Sequence, residues 1–220
     1  MNHLSQTSKL NAKSWSLAAW ETCPGARDKN GTAVPACAGC YARTGFYVFP
    51  VVKQAREANR EAWRDANWVG DMVKALKKEV LFRWFDSGDI YHPALANKIK
   101  QVIEQTPWVR HWLPTRSYKI AKFRHILEQI ATLPNVAVRY SADSIDGNYT
   151  PGLHGSVIVP TANEAPAEAY LCGAYSRGGK CGPCDACYRK DVAVIAYPAH
   201  GRVINKLIQI ARSNQERAIK

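Results

Sequence analysis

Apolar and polar residues in the middle of the chain follow two alternating patterns. Short apolar runs typical of strands cover residues 80–85, 109–113, 136–140 and 156–159. Residues 92–105 and 118–131 instead carry apolar side chains at helical spacing, on one face of each predicted helix. Strands that alternate with helices in this way predict βαβ units and a parallel sheet.

The two ends of the chain add further predicted elements. Residues 14–20 alternate as a short strand does, and residues 192–197 form an apolar run before a helix that begins near Val203. Residues 51–78 are rich in Ala, Glu, Lys and Arg. This composition favours two helices, which we expect to meet near Gly70.

These elements predict a single α/β domain over residues 14–220, preceded by a flexible N-terminus over residues 1–13. The expected architecture is an incomplete βα barrel or an open parallel sheet. Two cysteine-rich segments, 23–40 and 172–187, are expected as metal-binding insertions near its two ends.

Polar residues follow three successive predicted strands. Ligands bind at the carboxyl ends of parallel strands, so these positions are candidates for a site. The candidate catalytic residues are Asp86, Asp89 and Arg116, and the candidate cofactor-binding residues are Ser87, Gly88 and Ser141. The alternative is that they are turn and helix-capping residues, because Ser and Asp commonly begin helices.

The composition is that of a globular protein, with 46% hydrophobic and 22% charged residues in a chain of 220. No apolar run has the length of roughly 20 residues that spans a bilayer, and the N-terminus has no apolar signal region. We therefore expect a cytoplasmic protein with no membrane partner.

The net charge of +12 favours contact with a polyanion, and nucleic acid is the first such partner to expect. The alternative is that the basic residues are spread over solvated helix faces. Metal-bound thiolates would also offset part of this charge.

Seven cysteines in a reducing compartment favour metal binding over disulfides, and an odd number cannot all pair. Closely spaced thiolates converge on one metal or cluster. The candidate ligands are Cys23, Cys37 and Cys40 in the first segment and Cys172, Cys181, Cys184 and Cys187 in the second.

The spacing of the second segment is ferredoxin-like and suits a [4Fe–4S] cluster, with zinc as the alternative metal. In one assignment, four thiolates close one site and three hold a cluster with one open iron. In the other, both segments share a single cluster. The sequence leaves both assignments open.

Several motifs together resemble the phage gene product 88-like family. They are Ser14-Trp15-Ser16-Leu17, Cys23-Pro24-Gly25-Ala26, Cys37-Ala38-Gly39-Cys40, Trp84-Phe85-Asp86-Ser87-Gly88-Asp89 and the second cysteine segment. The resemblance extends from about residue 14 to residue 202. It implies a phage protein, located in the host cytoplasm, and no particular reaction.

A looser resemblance is to the radical S-adenosylmethionine enzymes. It implies that Cys23, Cys37 and Cys40 bind a cluster whose open iron takes S-adenosylmethionine, and that Ser87-Gly88-Asp89 contacts the cofactor's amine. Two features depart from that pattern. The first gap between cysteines is long, and the aromatic Tyr41 follows the last cysteine instead of preceding it.

Three functions follow from these features. The first is a cluster-dependent redox or radical enzyme that acts on a small-molecule substrate or cofactor. The second is a nucleic-acid-binding or regulatory phage protein whose metal is structural or redox-sensing. The third is a zinc-stabilised scaffold for a host protein. The sequence contains no recognisable hydrolytic triad, phosphate-binding loop or dinucleotide fingerprint.

Overall fold

A computed structural model describes residues 3–219 and confirms an α/β fold. The main sheet has the order β1-β2-β3-β4-β5. Strand β1 is antiparallel to β2, and the other neighbours are parallel. The strands are β1 (Leu4–Gln6), β2 (Lys13–Trp15), β3 (Leu81–Trp84), β4 (Arg110–Thr115) and β5 (Val136–Tyr140).

A second, parallel sheet has the order β6-β8-β7. Its strands are β6 (Ser156–Val159), β7 (Tyr170–Leu171) and β8 (Ile195–Pro198). One parallel bridge between Ser141 and Ser156 connects the end of β5 to the start of β6. The α/β prediction is thus confirmed, whereas the incomplete barrel stays a prediction.

Within residues 3–219 six α-helices complete the fold, and α3, α4 and α5 pack against one face of the main sheet. The helices are α1 (Pro35–Ala38), α2 (Pro50–Ala62), α3 (Trp68–Ala75), α4 (Pro93–Glu104), α5 (Ala121–Thr132) and α6 (Arg202–Ile219). No helix within residues 3–219 has the length and apolar character needed to cross a membrane.

The alternation of side chains along the strands gives the main sheet two different faces. Phe82 and Trp84 of β3 and Leu113 of β4 pack in the large core beneath the helices. The neighbours of these residues along β3 and β4 lie on the other face, where Trp112 packs with Tyr188 and Cys187. The second cysteine segment therefore covers the face that the helices leave free.

One prediction about the ends of elements was wrong. The break between α2 and α3 lies at residues 63–67, and Gly70 lies inside α3. Lys98 fixes this break because its ammonium group donates to the carbonyls of Trp63 (2.9 Å) and Asp65 (2.6 Å). The stretch 1–13 contains β1, which pairs with β2 over three residue pairs, and its flexibility stays a prediction.

Candidate functional site

The carboxyl ends of β3, β4 and β5 lie side by side and form the edge at which the sequence predicts a site. Asp86 has several hydrogen-bond partners there. Its Oδ1 accepts a hydrogen bond from Arg83 Nη1 (2.7 Å), and its Oδ2 accepts one from the Tyr47 hydroxyl. The Tyr41 hydroxyl donates to the Asp86 carbonyl oxygen (2.7 Å). Asp86 thereby fixes two tyrosines and an arginine at the rim of the sheet.

Asp89 is buried and has a different environment. Its carboxylate accepts hydrogen bonds from Thr115 Oγ1 (2.7 Å) and from the backbone N–H groups of Ile90 (2.7 Å) and Arg116 (2.8 Å). Burial raises its pKa, and these hydrogen bonds act in the opposite direction. Ile90 belongs to the same loop as Asp89, and the other two donors lie at the end of β4. Asp89 therefore joins the loop after β3 to the end of β4.

Ser87 and Gly88 hold the loop after β3 against the loop after β2. Ser87 Oγ donates to the Leu17 carbonyl (2.7 Å) and accepts from Arg56 Nε (3.0 Å). Gly88 has a φ of +78°, and a Cβ there would lie 2.6 Å from Leu17 Cβ. Only glycine fits this turn without displacing its neighbours.

Arg116 and Ser141 lie at the ends of β4 and β5. Arg116 Nη2 donates to the Ala142 carbonyl (2.9 Å), and its Nε lies 3.5 Å from Asp143 Oδ1. Ser141 Oγ accepts from Ser156 Oγ (3.1 Å). The backbone of Ser141 forms the bridge between the two sheets, so Ser141 joins strands while Arg116 faces the charged rim.

The three cysteines of the first segment form one group at this rim. Burial chiefly raises the pKa of Cys23 to about 12, and the charges of Asp89, Cys37 and Cys40 act in the same direction. Burial also raises the pKa of Cys37, and Arg116 opposes it. These mutual effects place the three thiols within electrostatic reach of one another and beside the ends of β3 and β4.

Two residues near this group have strained backbone conformations. Trp20 has a φ of 75° and Phe85 a φ of 56°, and they are the non-glycine residues within 3–219 that have a positive φ. Trp20 precedes Cys23, whose N–H donates to the Trp20 carbonyl, and Phe85 precedes Asp86. Such strain costs of order 1–3 kcal/mol and concentrates at functional sites.

The four cysteines of the second segment form a separate group on the helix-free face of the main sheet. The Cys172 N–H donates to the Ala196 carbonyl (2.8 Å), and the Cys181 N–H donates to the Lys9 carbonyl (2.9 Å). Burial raises the pKa of Cys187, and the charges of Cys172 and Cys181 raise it further. The thiol charges that act on each group come from that group's own segment.

Two tyrosine hydroxyls contact the second group. The Tyr197 hydroxyl lies 3.3 Å from Cys187 Sγ, and the Tyr170 hydroxyl lies 3.5 Å from Cys184 Sγ. Hydroxyl groups at this distance stabilise charge on a metal-bound sulfur.

All seven cysteines are free thiols, which excludes a disulfide framework in this structure. Within residues 3–219, no three His, Cys, Asp or Glu side chains are arranged so that they could hold a metal ion as they stand. The thiols of neither group converge on a single ion in this structure.

Two arginines that sequence patterns did not single out organise these groups. Arg83 lies between them. It pairs with Asp86 and contacts the hydroxyl of Tyr41 (3.4 Å), and its guanidinium carbon lies 4.4 Å from the centre of the Trp112 ring. Burial lowers the pKa of Arg83, but the charges of Tyr41 and Asp86 outweigh that effect and raise it overall.

Arg139 of β5 is buried and donates hydrogen bonds to five backbone carbonyls of the second segment and the loop that follows it. The acceptors are the carbonyls of Ala186, Cys187, Arg189, Val192 and Ala193. The signal in the sequence was an arginine in the middle of an apolar strand, at a position that alternation sends away from the helices. It carried no information about which segment the guanidinium would bind.

Comparison with known proteins gives one match. The model of the family described as Gene product 88 matches residues 2–202, a range that contains both cysteine segments. No curated protein and no solved structure matches the chain. Nothing in these comparisons supports the looser resemblance to radical S-adenosylmethionine enzymes.

Proposed function

The chain belongs to the phage gene product 88 family, and from that premise we propose that it is an iron–sulfur protein with two cluster sites. The single observation that carries this proposal is the division of seven free thiols into a group of three and a group of four. The three-thiol group lies at the edge of a parallel sheet where ligands bind, and the four-thiol group lies on the opposite side of Arg83.

The four-thiol group suits a closed cluster. Cys172, Cys181, Cys184 and Cys187 supply one ligand for each iron of a [4Fe–4S] cube. Arg139 and the Arg110–Asp185 ion pair (2.6 Å) anchor this segment to β5 and β4. A cluster without an open iron serves electron transfer or structure.

The three-thiol group leaves one iron without a protein ligand. An open iron binds a small substrate or cofactor directly, and S-adenosylmethionine is the first cofactor to test on it. Arg116 borders this rim and would orient such a ligand through its charge, and Asp86 would act through Arg83 and Tyr47, which occupy its two carboxylate oxygens. Asp89 and Ser87 hold the strand ends in place instead, because their polar groups are occupied by backbone and side-chain partners. Gly88 does so through the positive φ of its turn.

The spacing of the second segment in the sequence favours a cluster over zinc, because Cys181, Cys184 and Cys187 follow one another at ferredoxin-like intervals. A zinc ion with tetrahedral Zn–S bonds of about 2.3 Å needs its sulfurs roughly 3.8 Å apart. Within the described residues no group of three is set at a metal ion in this way. Zinc would therefore require the thiols to close in around a single ion.

The test is to purify the protein without oxygen, record its visible spectrum and count iron, sulfide and zinc per chain. A brown protein with about eight irons supports two [4Fe–4S] clusters. Cys37→Ser and Cys184→Ser then serve as controls for each other, since each should remove about four irons and leave the other cluster. A colourless protein with one or two zinc ions would contradict the proposal.

The open iron has its own test. S-adenosylmethionine added to the reduced protein should change the spectrum of the cluster that Cys184→Ser retains. It should not change the spectrum of the cluster that Cys37→Ser retains. An unchanged spectrum in both variants would remove the radical-enzyme proposal but leave the clusters in place.

A second candidate function is nucleic-acid binding, and the distribution of charge favours it. Residues 29–56 contain Lys29, Arg43, Lys53 and Arg56 but no Asp or Glu. This stretch contains Cys37 and Cys40 of the three-thiol group and contributes to a net charge of +12. Binding that weakens steeply with added salt would support this function.

A further inference from the structure

Five large apolar side chains stand exposed within one short stretch of the chain. We call them the aromatic surface, and its members are Tyr41, Phe46, Val48, Phe49 and Val51. Phe46 is 78% exposed and Val51 is 69% exposed. Most large apolar side chains elsewhere in this protein are buried. A cluster of exposed ones therefore marks an interaction site.

The two phenylalanines of this surface are arranged edge to face. The ring centroids of Phe46 and Phe49 lie 5.3 Å apart with an interplanar angle of 69°. This arrangement leaves ring faces open to a flat partner. A base has such a face, whatever its identity, and stacks on aromatic side chains that strand-binding proteins expose.

Two cations without carboxylate partners share one indole, and one of them lies within the stretch that carries the aromatic surface. The guanidinium carbons of Arg27 and Arg43 lie 3.8 and 4.6 Å from the centre of the Trp20 ring. Within residues 3–219 neither guanidinium forms an ion pair with a carboxylate. Arg43 is three residues from Phe46 in the sequence, and the Trp20 ring connects Arg27 to it without neutralising either charge.

We infer that the aromatic surface binds single-stranded nucleic acid, with bases stacked on Phe46 and Phe49 and phosphates beside Arg27, Arg43 and Lys53. Cations without carboxylate partners favour a polyanion over an apolar protein surface. Exposed ring faces favour unpaired bases, because a duplex keeps its bases stacked on one another. This inference rests on the second proposed function and is independent of the metal.

The experiment measures fluorescence anisotropy of a labelled single-stranded DNA, the same sequence as RNA, and the corresponding duplex at low salt. The full-length protein is compared with the double variant Phe46→Ala/Phe49→Ala and with Arg43→Ala. Trp108→Ala removes an aromatic residue that is 48% exposed elsewhere. Arg124→Ala removes an exposed arginine on α5. Circular dichroism checks that every variant is folded.

The double phenylalanine variant should bind the single strand about tenfold or more weakly, with duplex binding little changed. Arg43→Ala should weaken binding and lower the salt dependence, and the two control variants should stay within about twofold of the parent. Two results would overturn the aromatic surface as the binding site. In the first, the parent protein binds the single strand and the double phenylalanine variant binds it as tightly. In the second, heparin competes with the nucleic acid equally well for all variants. If neither DNA nor RNA binds at low salt, nucleic-acid binding itself is overturned.

Discussion

Replacing Arg139 with methionine is expected to release the second cysteine segment from the sheet. Arg139 is 3% exposed, and its guanidinium reaches five carbonyls between residues 186 and 193. This part of the chain contains one short 3₁₀ turn, Ala186–Tyr188, and no strand of its own. The Arg139 side chain therefore supplies hydrogen-bond donors to backbone carbonyls that have few other donors within reach.

The expected loss of stability follows from these contacts. A hydrogen bond that involves a charged group contributes about 1.5–3 kcal/mol. The bonds to Ala186 (2.9 Å) and Cys187 (3.2 Å) alone set a lower limit near 3 kcal/mol. The five bonds do not add, because the freed segment can turn its carbonyls to water. We expect Arg139→Met to lower the free energy of unfolding by about 3–5 kcal/mol.

Arg110→Met is the matched control. Arg110 reaches the same segment from β4 and pairs with Asp185 at 2.6 Å, but the two side chains are 46% and 32% exposed. Solvent screens such a pair, so its loss should cost about 1 kcal/mol or less. Both variants remove an arginine that binds the second segment. The difference between their free energies of unfolding therefore reports the effect of burying the arginine.

Urea unfolding followed by tryptophan fluorescence gives both free energies, and hydrogen exchange reports on amides 181–193. Arg139→Met should lose exchange protection there and should lose metal from the four-thiol group, while the three-thiol group keeps its own. Equal costs for the two variants, or unchanged protection of these amides, would refute the idea that Arg139 anchors the segment.

Four further changes test other parts of the fold. Burial lowers the pKa of His111 from the ordinary value of 6.5 to about 3 in the folded protein. The neutral imidazole therefore contributes its full stability above about pH 6.5, the pKa in the unfolded chain, and this contribution is lost as the pH falls toward 3. His111→Phe should accordingly flatten the pH dependence of urea unfolding by about 1.4 kcal/mol per pH unit between roughly pH 6 and 4, and an unchanged slope would contradict a neutral His111. Gly88→Ala should lower the melting temperature and cost at least about 2 kcal/mol, because it forces a Cβ to within 2.7 Å of Thr22 Oγ1. Gly70→Ala lies in open space inside α3 and should instead stabilise by about 0.5–1 kcal/mol; the opposite order of the two melting temperatures would be inconsistent with the structure. Arg83→Met leaves a carboxylate unpaired at the rim and should cost about 3–5 kcal/mol in urea unfolding, whereas a loss below 1 kcal/mol would show that the buried pair is dispensable.

The central βα units are predictable from the amino-acid sequence alone. The periodicity of apolar residues predicts strands β3 to β6 and helices α4 and α5. Each of these elements buries one face, so its apolar side chains recur with the period of a strand or a helix. The sequence also indicated that Asp86 and Arg116 meet at one edge, since parallel strands end together. It sorted the cysteines into two segments by spacing alone.

The contacts that hold these parts together become visible in the folded protein and not in the sequence. Strands β1 and β7 have three and two residues, too few to show a period, and exist because partner strands are present. The break between α2 and α3 depends on Lys98, which is distant in sequence. Arg83 binds Asp86 and Tyr41 at the rim, and Arg139 binds the second cysteine segment on the helix-free face. These partners are distant from β5 or from β3 in the sequence, except for Asp86. Long-range contacts of this kind leave no local pattern, because their physical cause lies in which backbone and side-chain groups the folded chain brings within reach.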